Sequence, residues 1–252
     1  MKPVGYNTYS RLGSVYEQGE IRGMVSISQH IKSFARRRGR PSVGQVRAFE
    51  TVWPQVGLTL SAATQPISFA QIFGRTAPII LEIGFGNGQS LLTMAQAEPD
   101  KDFVGIEVHY AGMGALLQGI EQQSLNNLRV YLDDAVEVLQ QAIPDASLDR
   151  VQLFFPDPWP KKRHHKRRLV QSEFVQLLRL KLKVGGIFHM ATDWQAYAEH
   201  MSLVMEDAQG FANLAGVGCY SSRPDYRPLT KYEQRGHQLG HEVFDLLYER
   251  IN

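Results

Sequence analysis

The chain has 252 residues, enough for one large domain or a domain with an extension. Its 43% hydrophobic content fits a globular enzyme rather than a disordered segment. No apolar stretch approaches a membrane span, and residues 1–30 carry Glu17 and Glu20 without an apolar signal core, so a cytoplasmic protein is expected. The single cysteine, Cys219, excludes an intrachain disulfide and a multi-cysteine metal site; a small buried side chain is expected there. The formal net charge of +2 conceals two cationic segments that together hold eleven of the 27 Lys and Arg. The remainder is net acidic, which points to localised positive patches for a polyanion.

Residues 1–28 are rich in Gly, Ser and Tyr with little periodicity, and are expected to be disordered or draped on a partner. A basic arm follows at 31–40, with Lys32, Arg36, Arg37, Arg38 and Arg40. Two parts are therefore expected: a flexible extension at 1–40 and a folded domain at 41–252. Pro and Gly break up 41–76, with a short helix expected at 47–53.

From Pro78 onward short apolar runs alternate with helical patterns, the signature of a parallel sheet with crossover helices. The spacing predicts strands at 79–83, 103–107, 128–132, 151–155 and 187–191. Helices are predicted at 90–97, 111–122, 135–142 and 172–182. Gly185 and Gly186 are expected to stop the last of these and turn into the fifth strand. A helix at 194–208 and a late strand at 242–249 follow, and the fold expected is a seven-stranded, mostly parallel, doubly wound α/β sheet of Rossmann-like class, with six of its strands located. In such sheets ligands sit at the carboxyl ends of the strands, where Glu82, Glu107, Asp134, Asp157 and Asp193 fall.

The first strand leads into Glu82-Ile-Gly84-Phe-Gly86-Asn-Gly88 and then a helix. Its G-x-G-x-G spacing departs from the G-x-G-x-x-G of dinucleotide binders. Glycine turns also serve purely steric ends, but Glu82 suits a ligand bearing an ammonium and a sulfonium group. Glu107 is placed to accept from a ribose, and Asp134 lies either at an adenine edge or at a helix N-cap. Together these fit S-adenosyl-L-methionine better than a nicotinamide dinucleotide.

Between Phe155 and Arg168 the chain reads Phe-Pro-Asp-Pro-Trp-Pro-Lys-Lys-Arg-His-His-Lys-Arg-Arg. The three prolines hold Asp157 and Trp159 out from a stiff backbone, beside a cationic strip suited to phosphates. Trp159 either stacks on a base or anchors the loop. His164 and His165 lie within the strip, where neighbouring cations suppress protonation. Adjacent histidines without converging ligands make a poor metal site, and no metal is expected. Asp193 precedes a helix it is placed to cap, and Thr230-Lys231-Tyr232-Glu233 also reads as a capping box.

These blocks, with 31–40, Phe103-Val-Gly-Ile-Glu-Val108 and Ala191-Thr-Asp-Trp194, closely resemble the bacterial tRNA guanine-N7 methyltransferase family from about residue 27 to the C-terminus. The resemblance implies transfer of methyl from S-adenosyl-L-methionine to guanine N7 of tRNA, at guanine 46 of the variable loop. It implies a cofactor site at Glu82, Gly84, Gly86, Glu107, Asp134 and Asp157, with Asp157 catalytic. Lys161, Asp193, Thr230, Lys231, Tyr232 and Glu233 would bind guanosine. The tRNA backbone is expected against Arg36, Arg37, Arg38, Arg40, Arg163, Lys166, Arg167 and Arg168. Two other readings are a non-catalytic RNA-binding module, which should have lost its cofactor loop, and an NAD-dependent oxidoreductase, against which the glycine spacing counts. A monomer or a homodimer is expected.

Overall fold

The computed structural model describes residues 32–34, 42–60, 66–229, 233 and 242–252. The expectations for residues 1–28, for Arg36, Arg37, Arg38 and Arg40, and for Thr230, Lys231 and Tyr232 lie outside the described residues. Residues from Lys32 to Asn252 form one compact unit.

Among the described residues eight strands form one sheet, in the order β1-β4-β3-β2-β5-β6-β8-β7. Five strands, β2 (Ile79–Ile83), β3 (Asp102–Ile106), β4 (Leu128–Tyr131), β5 (Leu148–Phe154) and β6 (Leu182–Thr192), are parallel and match the predicted runs. The late strand is β8 (Phe244–Arg250), antiparallel to β6. Two short edge strands, β1 (Gly57–Leu58) and β7 (Phe211–Asn213), join the six located runs to make eight, one more than the expected seven. Both are only partly buried, so neither carries the apolar run by which a strand is recognised.

Every residue of β2 and β3 is buried, because helices cover both faces of the sheet. On one face α1 (Val43–Thr51), α2 (Trp53–Val56), α4 (Gln89–Ala97) and α5 (Tyr110–Gln123) pack around Ile80, Phe103 and Val130. On the other, α6 (Ala135–Gln141), α7 (Ser172–Lys181) and α8 (Gln195–Glu206) cover Leu81, Val104 and Val151. Each such Leu or Val side chain contributes about 1.5–3 kcal/mol by leaving water. A one-turn helix, α3 (Phe69–Phe73), was not legible as a periodic pattern.

Two local expectations are corrected. Gly185 and Gly186 do not end α7; β6 begins directly at Leu182, and the glycines lie inside it where the pairing with β5 shifts register. Gly185 has φ 83°, a conformation that glycine adopts without strain. Cys219, expected to be buried, is exposed in the turn after β7. Among the described residues no helix is long and apolar enough to cross a membrane.

Candidate active site at the carboxyl end of the sheet

The chain winds one way through β2, β3 and β4 and the other way through β5 and β6, so the strand order reverses between β2 and β5. Neighbouring loops diverge at such a point and leave a crevice. A cleft of about 290 Å³ opens there, between the glycine turn after β2 and the loop after β5.

The glycine turn forms its near wall. Gly84, Gly86 and Gly88 have φ of 72°, 60° and 77°, a region that disfavours any residue with a Cβ. A Cβ at Gly84 or Gly86 would meet nothing among the described residues; it would project into open space where a ligand can approach the backbone. From the far side, Gly112 presses against the carbonyl of Gly86, where a Cβ would come within 2.1 Å. That contact fixes the turn on the start of α5.

The expected acidic residues divide by depth. Glu107 lines the cleft and accepts from the backbone N–H of Gly86 at 2.8 Å, Val108 at 2.6 Å and His109 at 3.0 Å. It therefore shapes the glycine turn as well as facing the ligand space. Asp134 also lines the cleft: its Oδ1 caps α6 by accepting from Val136 N–H at 2.9 Å, while its buried Oδ2 has no hydrogen-bond partner among the described residues. The two expectations for Asp134, a cap and a ligand contact, are compatible in one side chain.

Glu82 sits deeper than expected, 2% exposed in β2 and behind the wall formed by Ile83 and Gly84. Burial pushes its carboxyl up to about 8, Arg150 works against that shift, and Glu107 adds to it. Its Oε2 also lacks a partner among the described residues.

Asp157 is exposed and lines the opposite wall. Phe155 and Trp159 on either side of it have φ of 52° and 44°, uncommon for aromatic residues and a sign of backbone strain at a site. Phe155 N–H donates to Ala191 O at 2.7 Å, which ties the kink to the end of β6. Trp159 proves to be an anchor: its indole N–H donates to Ser33 O at 2.9 Å and the Arg167 guanidinium lies 3.9 Å from its ring. Ser33 and Phe34 also line the cleft, a contribution that no spacing in the sequence announced.

The basic run is a short 3-10 helix, Lys162–Arg167, with Lys161 at its N-cap. Lys161, Lys162, Arg163 and Lys166 are exposed, and Arg167 packs on Trp159. Desolvation, with Arg163, Arg167, Lys161 and Lys166, lowers the His164 pKa.

Arg168 departs from the expected tRNA contact. It is 4% exposed, donates to Pro158 O at 3.0 Å and lies 4.8 Å from the Tyr197 ring, so it staples the Asp157 loop to α8. Asp193 lies outside the main cleft, in a shallow groove with Trp194 and Glu199. Trp194 is the N-cap of α8, without a side-chain cap, and its N–H donates to Thr192 Oγ1 at 3.2 Å. Glu233 is 1% exposed and ion-paired to Arg227 at 2.7 Å. Among the described residues no group of three or more His, Cys, Asp and Glu converges to hold a metal.

The open cradle at Gly84 and Gly86, the unpartnered Asp134 Oδ2 and the engaged but cleft-facing Glu107 fit S-adenosyl-L-methionine. A family model described as "Putative methyltransferase" matches residues 76–246. A tRNA (guanine-N(7)-)-methyltransferase of Pseudoalteromonas atlantica is 58% identical over 88% of this chain and 92% of its own length. One of Alcanivorax borkumensis is 57% identical over 89% and 93%. Among solved structures, the 16S rRNA methyltransferase KamB superposes with a TM-score of 0.54 at 16% identity, covering 75% of this chain and 96% of that one; this likeness is one of fold. Sequence identity of this extent, over nearly the whole length of the relatives, makes the chain a member of the tRNA (guanine-N(7)-)-methyltransferase family.

Proposed function

We propose that the protein transfers a methyl group from S-adenosyl-L-methionine to N7 of a guanine in tRNA, at guanine 46 of the variable loop, in the cytoplasm. The observation that carries this reading is the meeting of Asp157 with the glycine cradle, Glu107 and Asp134 in one cleft, beside an exposed cationic helix. Its relatives' names support the tRNA guanine substrate.

When bound, the donor would supply an electrophilic sulfonium methyl, with its thioether as leaving group, to the in-plane lone pair of guanine N7. N7 carries no proton at neutral pH, so Asp157 has none to remove there. Its carboxylate instead orients the ring, by accepting from N1–H or the exocyclic amine, and offsets the positive charge that the purine gains. Prolines on both sides and the Arg168 staple hold Asp157 in place before substrate arrives, so little reorganisation is needed at the moment of transfer. Glu107 keeps the glycine turn open through three backbone N–H groups, and Asp134 offers Oδ2 to an amino group such as that of adenine. Arg163 and Lys166 are exposed where tRNA phosphates would approach, and Lys161, also exposed, would form the guanosine side with Asp193 and residues 230–233.

Incubation with unmodified tRNA and methyl-labelled S-adenosyl-L-methionine, followed by strand cleavage specific for 7-methylguanosine, should place the label at guanine 46. Label at another atom or another nucleotide would defeat the assignment.

A further inference from the structure

The face of the sheet formed by β5, β6 and β8 is built differently from the rest. Among apolar side chains it carries Arg150 and Gln152 on β5, His189 on β6 and Asp245 on β8, all buried. The segment leading to 230–233 is attached through them. The Tyr226 ring lies under the Arg150 guanidinium at 3.7 Å, and its hydroxyl donates to His189 Nδ1 at 2.9 Å. His189 Nε2–H donates to Asp245 Oδ1 at 2.7 Å, the tautomer that satisfies both ring nitrogens. Asp245 accepts from Arg227 through both oxygens, at 2.7 and 2.8 Å.

Arg227 is the junction of this chain. It is 1% exposed and holds Glu233 by Nη1 at 2.7 Å while its fork grips Asp245. Its guanidinium carbon lies 5.8 Å from the rings of both Phe154 and Phe155. Phe155 is the kinked residue that lines the cleft two positions before Asp157. One buried guanidinium thus touches the strand that anchors the site, the loop that bears Asp157 and the segment expected to bind guanosine. An ionised group pulled off a buried guanidinium leaves that charge undercompensated, so Glu233 has strong reason to stay. Polar contacts of this kind fix one register where apolar packing would tolerate several.

We propose that Arg227 is a positioning residue that fixes the Asp157 loop and Glu233 relative to each other, and that Glu233 acts through Arg227 rather than on the substrate base. The inference rests on the tRNA guanine-N7 reading above. It adds the residue that assembles the substrate side of that site.

The test is a double-mutant cycle in the full-length protein with Arg227→Lys and Glu233→Ala. Lysine keeps the charge but loses the fork. R227K should lower kcat/KM for tRNA by about 100-fold, the scale of a misplacement of about 1 Å, with the Kd of S-adenosylhomocysteine held within about threefold. E233A should fall comparably, and the double variant should be no worse than the poorer single, because the two residues act as one unit. Losses that multiply, or a wild-type kcat/KM in R227K, would overturn the proposal. If R227K does not fold, Glu233→Gln decides: the amide oxygen still accepts from Arg227, so activity should stay within about tenfold of wild type. An E233Q loss equal to that of E233A would put the Glu233 charge on the substrate. If the wild type does not methylate tRNA, the functional reading fails by itself. The coupling is then read from the melting temperatures of the unliganded proteins, where additive shifts would still refute it.

Discussion

Glu82→Gln should make the unliganded protein more stable, and increasingly so as pH rises. Glu82 is buried in β2, and burial lifts its carboxyl from an ordinary 4.5 to about 8. A carboxyl whose folded value is raised binds more protons in the folded than in the unfolded chain. Its contribution is fully present below about pH 4.5 and is lost as pH climbs toward 8. The full difference corresponds to about 5 kcal/mol, of which about 3 kcal/mol is already lost at pH 7. Relaxation around the ionised carboxylate reduces this, and about half, roughly 2 kcal/mol, is expected to be recovered by an amide that never ionises. For a chain of this size that is a rise of roughly 4–8 °C in Tm. Differential scanning fluorimetry of wild type and E82Q from pH 5 to pH 8.5, without cofactor, isolates the effect because other titrating groups cancel in the difference. The gap should be small at pH 5 and widest at pH 8.5; a gap independent of pH, or a variant less stable at pH 8.5, would refute the reasoning. If the donor's ammonium recruits the ionised carboxylate, binding near pH 7 should also release about one proton from wild type and none from E82Q, measured by calorimetry in buffers of unlike ionisation enthalpy.

Asp157→Ala should lower methyl transfer by about 100-fold or more while S-adenosylhomocysteine still binds; equal loss of binding would count against an orienting and electrostatic role. Asp134→Asn should weaken cofactor affinity at unchanged Tm, because the amide oxygen can still cap α6, whereas Asp134→Ala should also destabilise by about 1 kcal/mol. The basic run should divide as its burial does. Arg163→Ala with Lys166→Ala should flatten the salt dependence of tRNA binding by roughly two charges. Arg168→Ala should instead lower Tm and leave that slope intact, since its guanidinium is inside.

The strands that anchor the site were legible because they are buried on both faces, which forces short apolar runs such as Ile-Ile-Leu at 79–81 and Phe-Val-Gly-Ile at 103–106. The glycine turn was legible because three alternate residues with positive φ leave little choice of amino acid. The edge strands β1 and β7 were not, since an edge of two or three half-buried residues imposes no pattern. Depth was the other blind spot. In the sequence Glu82 and Glu107 are equivalent carboxylates at strand ends, but one is sealed behind the cleft wall and the other turned into the glycine loop. In the same way six cations among eight residues read as one surface, although Arg168 bends inward to hold Pro158.

The polar face of β5, β6 and β8 left a faint trace in the sequence, and its physical meaning links fold to site. His189 stands in Ile-Phe-His-Met-Ala and Asp245 in Phe-Asp-Leu-Leu, each a single polar residue within a short apolar run. A buried polar group in that position must find a partner, since leaving it unpaired costs about 1–3 kcal/mol. The partner for both is the stretch Asp-Tyr-Arg at 225–227, which has no periodicity of its own and is ordered by what it satisfies. A sheet closed by an apolar helix there would be as stable, but it would not dictate where the following residues go. Burying charge at that place makes the position of Arg227, and of the Glu233 carboxylate it holds, a condition of folding.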